Sequence, residues 1–357
     1  MQIVSIIISN SHFEKVLQKV KRLKIILPIL ISCLFLYLAG RNLDFVKCGK
    51  VFCHINYLWF SAGFLATVVA FVIRVIRWQT ILSPTKRIRI SKLGSSFLIG
   101  LMVNNILPAR VGELARAYVL GEKEKISKSL VFATIILERT LDGLSVFAIL
   151  ACLLFVSPMP EYIKRNGNKQ DAEHLLSAGI LIAAAYFFIL IFLFLLKTHK
   201  VWTIKKVERI SSKLSKIVES FSEGLSVLNS KRRLLLLSFY SILSWLISGL
   251  SVHLLLLSIG ISLPLHIAYL VLVMTVIGVM IPAAPGYIGT FHYFCILALH
   301  NIAGQDKDVA AGFSILLYLV GFLPITIAGI VCLFLEGISV SNLFALNKHK
   351  TKNSCKS

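Results

Sequence analysis

The sequence predicts an all-α polytopic membrane protein, with six full transmembrane helices and two re-entrant helical hairpins arranged as an inverted repeat. Three observations carry that expectation: the composition, the lengths of the apolar runs, and the placement of Lys and Arg around them. Of 357 residues, 57% are apolar or aromatic and 15% are charged, whereas soluble domains carry roughly 25% charged residues. The mean hydropathy of +0.83 excludes a soluble globular chain. The 38 Lys and Arg against 16 Asp and Glu give a net charge of +22. In a soluble protein that excess would point to nucleic acid. Beside apolar spans it reports orientation instead, and no nucleic-acid partner is expected.

A helical crossing needs about 20 apolar residues. Segments 23–40, 57–83, 129–157, 175–196, 234–259 and 309–336 meet that length. Two more apolar stretches, 93–120 and 263–302, are broken near their middles, at Pro108-Ala109-Arg110-Val111-Gly112 and at Pro282 through Gly289. Each half is about 15 residues long, which suits a hairpin that returns to the side it entered. Residues 1–10 lack the basic start of a cleavable signal, and the basic run Lys15 to Lys24 leads into the first span as a signal-anchor would.

Charge tests this map. Loops 12–24, 84–92, 121–128, 197–233 and 337–357 hold 26 Lys and Arg, while 41–56, 158–174, 260–262 and 303–308 hold 7. The asymmetry puts both termini in the cytoplasm of an inner-membrane protein, provided both broken segments are re-entrant. The expected organisation is a cytoplasmic segment 1–22, a first repeat 23–157 and an external loop 158–174. A second repeat 175–336 and a basic cytoplasmic tail 337–357 follow. The second repeat includes 200–230, whose apolar residues from Val201 to Leu225 recur at helical spacing among Lys205, Lys206, Arg209, Lys213 and Lys216. That segment reads as an amphipathic helix on the cytoplasmic leaflet joining the repeats.

Both halves follow the order span, span, hairpin, span. Ile99-Gly100-Leu101-Met102 precedes the first break and Ile277-Gly278-Val279-Met280 the second. Broken helices at matching positions of two halves point to a substrate site near the bilayer midplane.

Away from the segment ends, eight ionised residues fall inside apolar segments: Arg74, Arg77, Arg110, Glu113, Arg116, Glu138, Arg139 and Asp142. Each costs about 2.5–3.5 kcal/mol at a helix centre, so such residues face a bundle interior or wet cavity and pair there. Helical spacing suggests pairs Arg110 with Glu113, Glu113 with Arg116, and Arg139 with Asp142. Surplus guanidinium suits an anionic, phosphate-bearing headgroup, because Arg offers a planar fork of donors. The bland readings are snorkelling for Arg74 and Arg77, exit to the surface for Arg116, and a purely structural knot for Glu138, Arg139 and Asp142. Asn104 and Asn105 join Arg110 and Glu113 at the first tip, where a helix starting near Val111 would aim free N–H groups at an anion. The second tip supplies Pro285, Gly286, Gly289 and His292, the last a possible proton relay or simply a hydrogen-bonded side chain.

The seven cysteines form no CxxC pair, and no disulfide framework, metal site, cofactor or catalytic nucleophile is expected. No Walker A loop, GxSxG or HExxH occurs.

The run Asn104 to Leu120, then Glu138-Arg139-Thr140-Leu141-Asp142, then Pro285-Gly286-Tyr287-Ile288-Gly289-Thr290-Phe291-His292, resembles the lysylphosphatidylglycerol synthase transmembrane-region family of flippase-like membrane proteins over nearly the whole chain. The resemblance implies a lipid cavity associated with Arg110, Glu113, Glu138, Arg139, Asp142, Pro285 and Gly286. It does not carry over the synthase activity, since the soluble aminoacyl-transferase domain is not expected in this chain. Many members have Glu after the second turn, where this chain reads Thr290-Phe291-His292. The expected function is movement of a lipid with an anionic headgroup. The alternative is a non-transporting anchor or regulator of a lipid- or glycan-modifying enzyme partner. An intramembrane transferase is the weakest reading.

Overall fold

The computed structural model describes residues 27–107, 110–155, 219–220, 223–224, 226–281 and 283–337. The span expected at 175–196, loop 158–174, nearly all of the helix expected at 200–230, and the tail beyond Gly337 lie outside the described residues. Ten helices are described: α1 (Leu27–Gly40), α2 (Phe45–Lys50), α3 (Tyr57–Leu82), α4 (Ile90–Ile106), α5 (Val111–Glu124), α6 (Lys128–Phe155), α7 (Lys231–Ser258), α8 (Leu265–Met280), α9 (Thr290–Ile296) and α10 (Lys307–Leu335). No strand occurs among the described residues.

Local chemistry sets several of these bounds. Asn56, Asp44 and Asp306 cap α3, α2 and α10 by accepting from the N–H groups two and three residues on. Both broken segments end their first helix just before a proline. Leu107, preceding Pro108, is extended (φ −110°, ψ 143°), and Ile281, preceding Pro282, is extended too (φ −68°, ψ 132°). Proline disfavours the helical region for the residue before it.

Among the described residues, three helices are long and apolar enough to cross a membrane: α3, α7 and α10. Helix α6 has a similar 28 residues but carries Glu138, Arg139 and Asp142 at its middle. The outer faces are apolar. On α7, Leu235, Phe239, Ile242, Leu246 and Leu250 recur at helical spacing and are exposed. Water would penalise that stripe, and lipid does not. The opposite face of α7 carries Ser241, Ser244 and Ser251, all buried.

That polar face zips α7 to α3. Ser251 Oγ donates to the Gly63 carbonyl at 2.7 Å and lies 2.7 Å from Thr67 Oγ1; Arg74 donates to Ser248 Oγ at 3.2 Å, and Arg77 to Ser241 Oγ at 3.0 Å. Partners ascend on α3 as they descend on α7, so the two helices run antiparallel.

Several described positions correspond after a shift of 178 residues (278 − 100). A Cβ on Gly100 would meet the Gly112 carbonyl and Arg116 Cβ; one on Gly278 would meet the Thr290 carbonyl and Phe294 Cβ, the same two positions after the shift. Adding 178 to α5 and α6 gives 289–302 and 306–333. Helix α9 with its π-helical extension spans Thr290–Ile302, and α10 spans Lys307–Leu335. One difference stands out: Leu297–Ile302 is a π-helix, whereas α5 is α-helical throughout.

Candidate functional site

The two hairpin tips meet. Arg110 Nη2 donates to the Val279 carbonyl at 2.8 Å, and Gly286 approaches the Asn105 carbonyl. Gly286 (φ 69°) and Tyr287 (φ 58°) are both left-handed there. A side chain on Gly286 would also run into Tyr318 Oη at 2.5 Å, so glycine satisfies both the backbone and the space. The second tip is tied to α1, where Ser32 Oγ accepts from Ala284 N at 2.8 Å. Asn105 anchors the first tip to α10 by donating to Thr326 Oγ1 at 2.8 Å.

Beneath the tips is a cavity of about 300 Å³, within the size range of small-ligand sites. Its charged wall is Arg74, Arg110, Arg139 and Glu113, a net charge of +2. Asn104, Asn105, Thr67, Thr275, Ser248, Ser251 and Tyr287 add polar groups, and Phe71, Trp245, Phe291 and Phe322 add aromatic surface. Arg139 keeps 40% of its side chain exposed, consistent with a guanidinium at the edge of a void.

The other four charges lie behind that wall in a neutral knot. Arg77, with its side chain wholly buried, contacts Asp142 at 2.7 Å and Glu138 at 3.4 Å. Arg116 contacts Glu138 at 2.7 Å and stacks over Trp78 and Phe97, with its guanidinium carbon 3.5 and 4.3 Å from the ring centroids. Arg139 bridges wall and knot, lying 3.6 Å from Glu113, 3.6 Å from Glu138 and 3.5 Å from Asp142. Trp245 links the same layers: Nε1 donates to Asp142 at 3.2 Å, and the Arg74 guanidinium lies 5.1 Å from its ring centroid.

Several expected pairings differ. Arg110 does not bridge to Glu113, because it precedes α5 in a left-handed conformation (φ 54°) and reaches across to α8. Arg116 pairs with Glu138 rather than Glu113 and is 3% exposed, not at the surface. Arg77 does not snorkel; it sits at the centre of the knot. The N-terminus of α5 is not wholly free for an anion, since Gly112 N donates to Asn104 Oδ1 at 2.7 Å. A buried charge is stabilised by an opposite charge on any neighbouring helix, so helical spacing alone does not choose its partner.

Of the expected site residues, Asn104, Asn105, Arg110, Glu113 and Arg139 line the cavity. Arg116, Glu138 and Asp142 lie behind it, and Pro285, Gly286 and Gly289 shape the second tip without lining it. His292 is aimed elsewhere, with Nδ1 3.1 Å from Ser314 Oγ and the ring between Phe291 and Tyr318. The sequence reading missed Trp245, Ser248 and Ser251. The spacing of Ser241, Ser244, Ser248 and Ser251 in an otherwise apolar run was the available signal of an inward polar face.

A family model described as the lysylphosphatidylglycerol synthase TM region matches residues 25–329. Relatives include a UPF0104 membrane protein of Methanocaldococcus jannaschii, 25% identical over 340 residues, covering 89% of this chain and 97% of that one. A second from the same organism is 28% identical over 239 residues, 66% of this chain and 94% of its own. A UPF0104 membrane protein of Methanothermobacter thermautotrophicus is 26% identical over 297 residues, 78% of this chain and 86% of its own. No solved structure matches.

Proposed function

This multi-pass integral membrane protein belongs to the lysylphosphatidylglycerol synthase TM region family, and from that premise we propose that it moves a lipid with an anionic, phosphate-containing headgroup across the cytoplasmic membrane. The observation that carries the reading is the central cavity, whose wall sets three Arg against one Glu. A phosphate entering it exchanges water for charge-assisted hydrogen bonds from guanidinium groups that stay protonated.

The proposed architecture is six crossings and two re-entrant hairpins in two inverted repeats, with both termini cytoplasmic. The antiparallel run of α3 and α7, which correspond under the 178-residue shift, supports it, as does the 26 to 7 distribution of Lys and Arg. Transport would proceed by alternating access, the headgroup passing the tips while the acyl chains stay in lipid. Each passage would break and remake the Arg110 contact to Val279, which closes one tip against the other.

The test is movement of fluorescent phosphatidylglycerol in proteoliposomes, read by chemical quenching of the outer leaflet. Arg110→Gln and Arg139→Gln are expected to slow wild-type movement by roughly tenfold or more, the effect of losing one hydrogen bond to a charged group. Correctly folded variants that match wild type in rate would refute the site. A wild-type protein that moves no lipid and co-purifies with a lipid- or glycan-modifying enzyme would refute transport.

A further inference from the structure

A second cavity, of about 350 Å³, lies at the N-terminal end of α10, apart from the central one. Residues of α10 that line the central cavity run from Leu317 to Ile325, whereas Lys307 lines the second. At 1.5 Å per residue the two are separated by about 15–27 Å along the helix. The second cavity therefore lies at the level where α1 ends and α10 begins, the membrane–water boundary in the proposed topology.

Its lining is amphipathic. Arg41 and Lys307 bring two cations, His300 and Asn301 add polar groups, and Leu38 and Leu297 form an apolar flank. Among the described residues, neither Arg41 nor Lys307 is paired with a carboxylate. Lys307 Nζ instead donates to the Arg41 carbonyl at 2.6 Å, which ties the start of α10 to the end of α1 where both cationic residues line the cavity. The nearby acids are engaged elsewhere: Asp306 caps α10, and Asp308 accepts from Asp44 N at 2.9 Å.

The wall is built by an irregularity. His300 and Asn301 belong to the π-helical turn Leu297–Ile302, whose counterpart in the first repeat is regular α-helix. A π-turn widens the helix and re-aims its side chains, and such turns concentrate at functional sites. His300 Nδ1 is held by the Gln305 carbonyl at 2.7 Å, which orients the ring.

We propose that this pocket binds the phosphate of an anionic membrane lipid, with the acyl chains lying against the exposed apolar face of α1. Two cationic residues lining one cavity, neither paired with a carboxylate among the described residues, favour a phosphate ester. The Leu38 and Leu297 flank, continuous with exposed Leu34 and Tyr37 on α1, favours a lipid as its carrier over a free ion. The site is separate from the central cavity, and binding there does not depend on transport.

The test uses the full-length protein in nanodiscs of phosphatidylcholine and phosphatidylglycerol, with retained lipid counted by native mass spectrometry. Arg41→Gln and Arg41→Glu remove the guanidinium while leaving the carbonyl that Lys307 binds, so the fold is kept. Both are expected to lose one retained phosphatidylglycerol, with affinity reduced about tenfold or more. Arg110→Gln, in the central cavity, keeps that molecule, whether or not it moves lipid. Equal phosphatidylglycerol retention in wild type and both Arg41 variants overturns the proposal. Titration of detergent-purified protein with inorganic phosphate separates the sources. Phosphate binding that is lost in the Arg41 variants, with lipid retention unchanged, overturns the lipid assignment in favour of a free ion.

Discussion

Arg77 Nη1 lies 2.7 Å from Asp142 Oδ1, with the Arg77 side chain wholly buried, and the same guanidinium reaches Ser241 on α7. One side chain of α3 thus joins the acidic helix α6 to the serine face of α7. Among the described residues the charges of this knot, Arg77, Arg116, Glu138 and Asp142, cancel. Their worth lies in completeness, because removing one member of a buried pair strands the other at about 3–5 kcal/mol. Arg77→Met is accordingly expected to lower the thermal unfolding temperature in detergent sharply. Arg74→Gln, at the cavity wall with Ser248 as its one hydrogen-bond partner among the described residues, is expected to lower it far less. Equal losses would show that the division between knot and wall does not describe the energetics.

Trp245 separates two roles that share one ring. Trp245→Phe removes the N–H that donates to Asp142 while keeping an aromatic face for Arg74. The expected cost is about 1.5–3 kcal/mol of stability, the cost of a lost hydrogen bond to a charged group, with lipid movement within about twofold of wild type. A large loss of movement at unchanged stability would instead place Trp245 directly against the lipid.

The crossing of α4 and α5 depends on glycine. A Cβ on Gly112 would lie 1.9 Å from the Gly100 carbonyl and 2.6 Å from Asn104 Oδ1. Gly112→Ala is expected to separate the hairpin and abolish folding or movement, as judged by size-exclusion profile and lipid assay. Gly94 lies on the same helix α4, and a Cβ added to it would meet nothing within 4 Å. Gly94→Ala is expected to be neutral or stabilising by roughly 0.5–1 kcal/mol, because alanine restricts the unfolded chain.

At the polar end of the first hairpin, hydrogen bonds from Lys86 and Lys92, each 2.8 Å from its carboxyl, hold Glu124 below the usual carboxylate range. A carboxyl depressed in the folded state stabilises fully above its unfolded value. That contribution is lost as pH falls through its folded value. Unfolding temperature is therefore expected to decline below about pH 4.5 more steeply in wild type than in Glu124→Gln. Both lysines are substantially exposed, so the difference is small and weakens with salt. Parallel pH profiles would remove Glu124 from the account.

Much of the helical framework was legible in the sequence because its causes are local. Apolar runs long enough to span, prolines after Leu107 and Ile281, and capping residues such as Asn56 and Asp306 act within a few residues of where they stand. Asn104, Asn105, Arg110, Glu113 and Arg139 could likewise be singled out as polar groups in apolar segments, and all five line the cavity.

The tertiary structure alone decided what each charge does. Arg74 and Arg77 sit three residues apart on one helix, yet one faces the cavity while the other is locked between Asp142, Glu138 and Ser241. Composition and spacing determined that eight charges must be sheltered from lipid, because each is too costly to leave bare there. For Arg77 and Arg74, which was neutralised and which was left facing a void depended on residues 61 to 174 positions away in the chain. Coulomb and hydrogen-bond energies follow distance in space, and only the packing of α3, α5, α6 and α7 sets that distance.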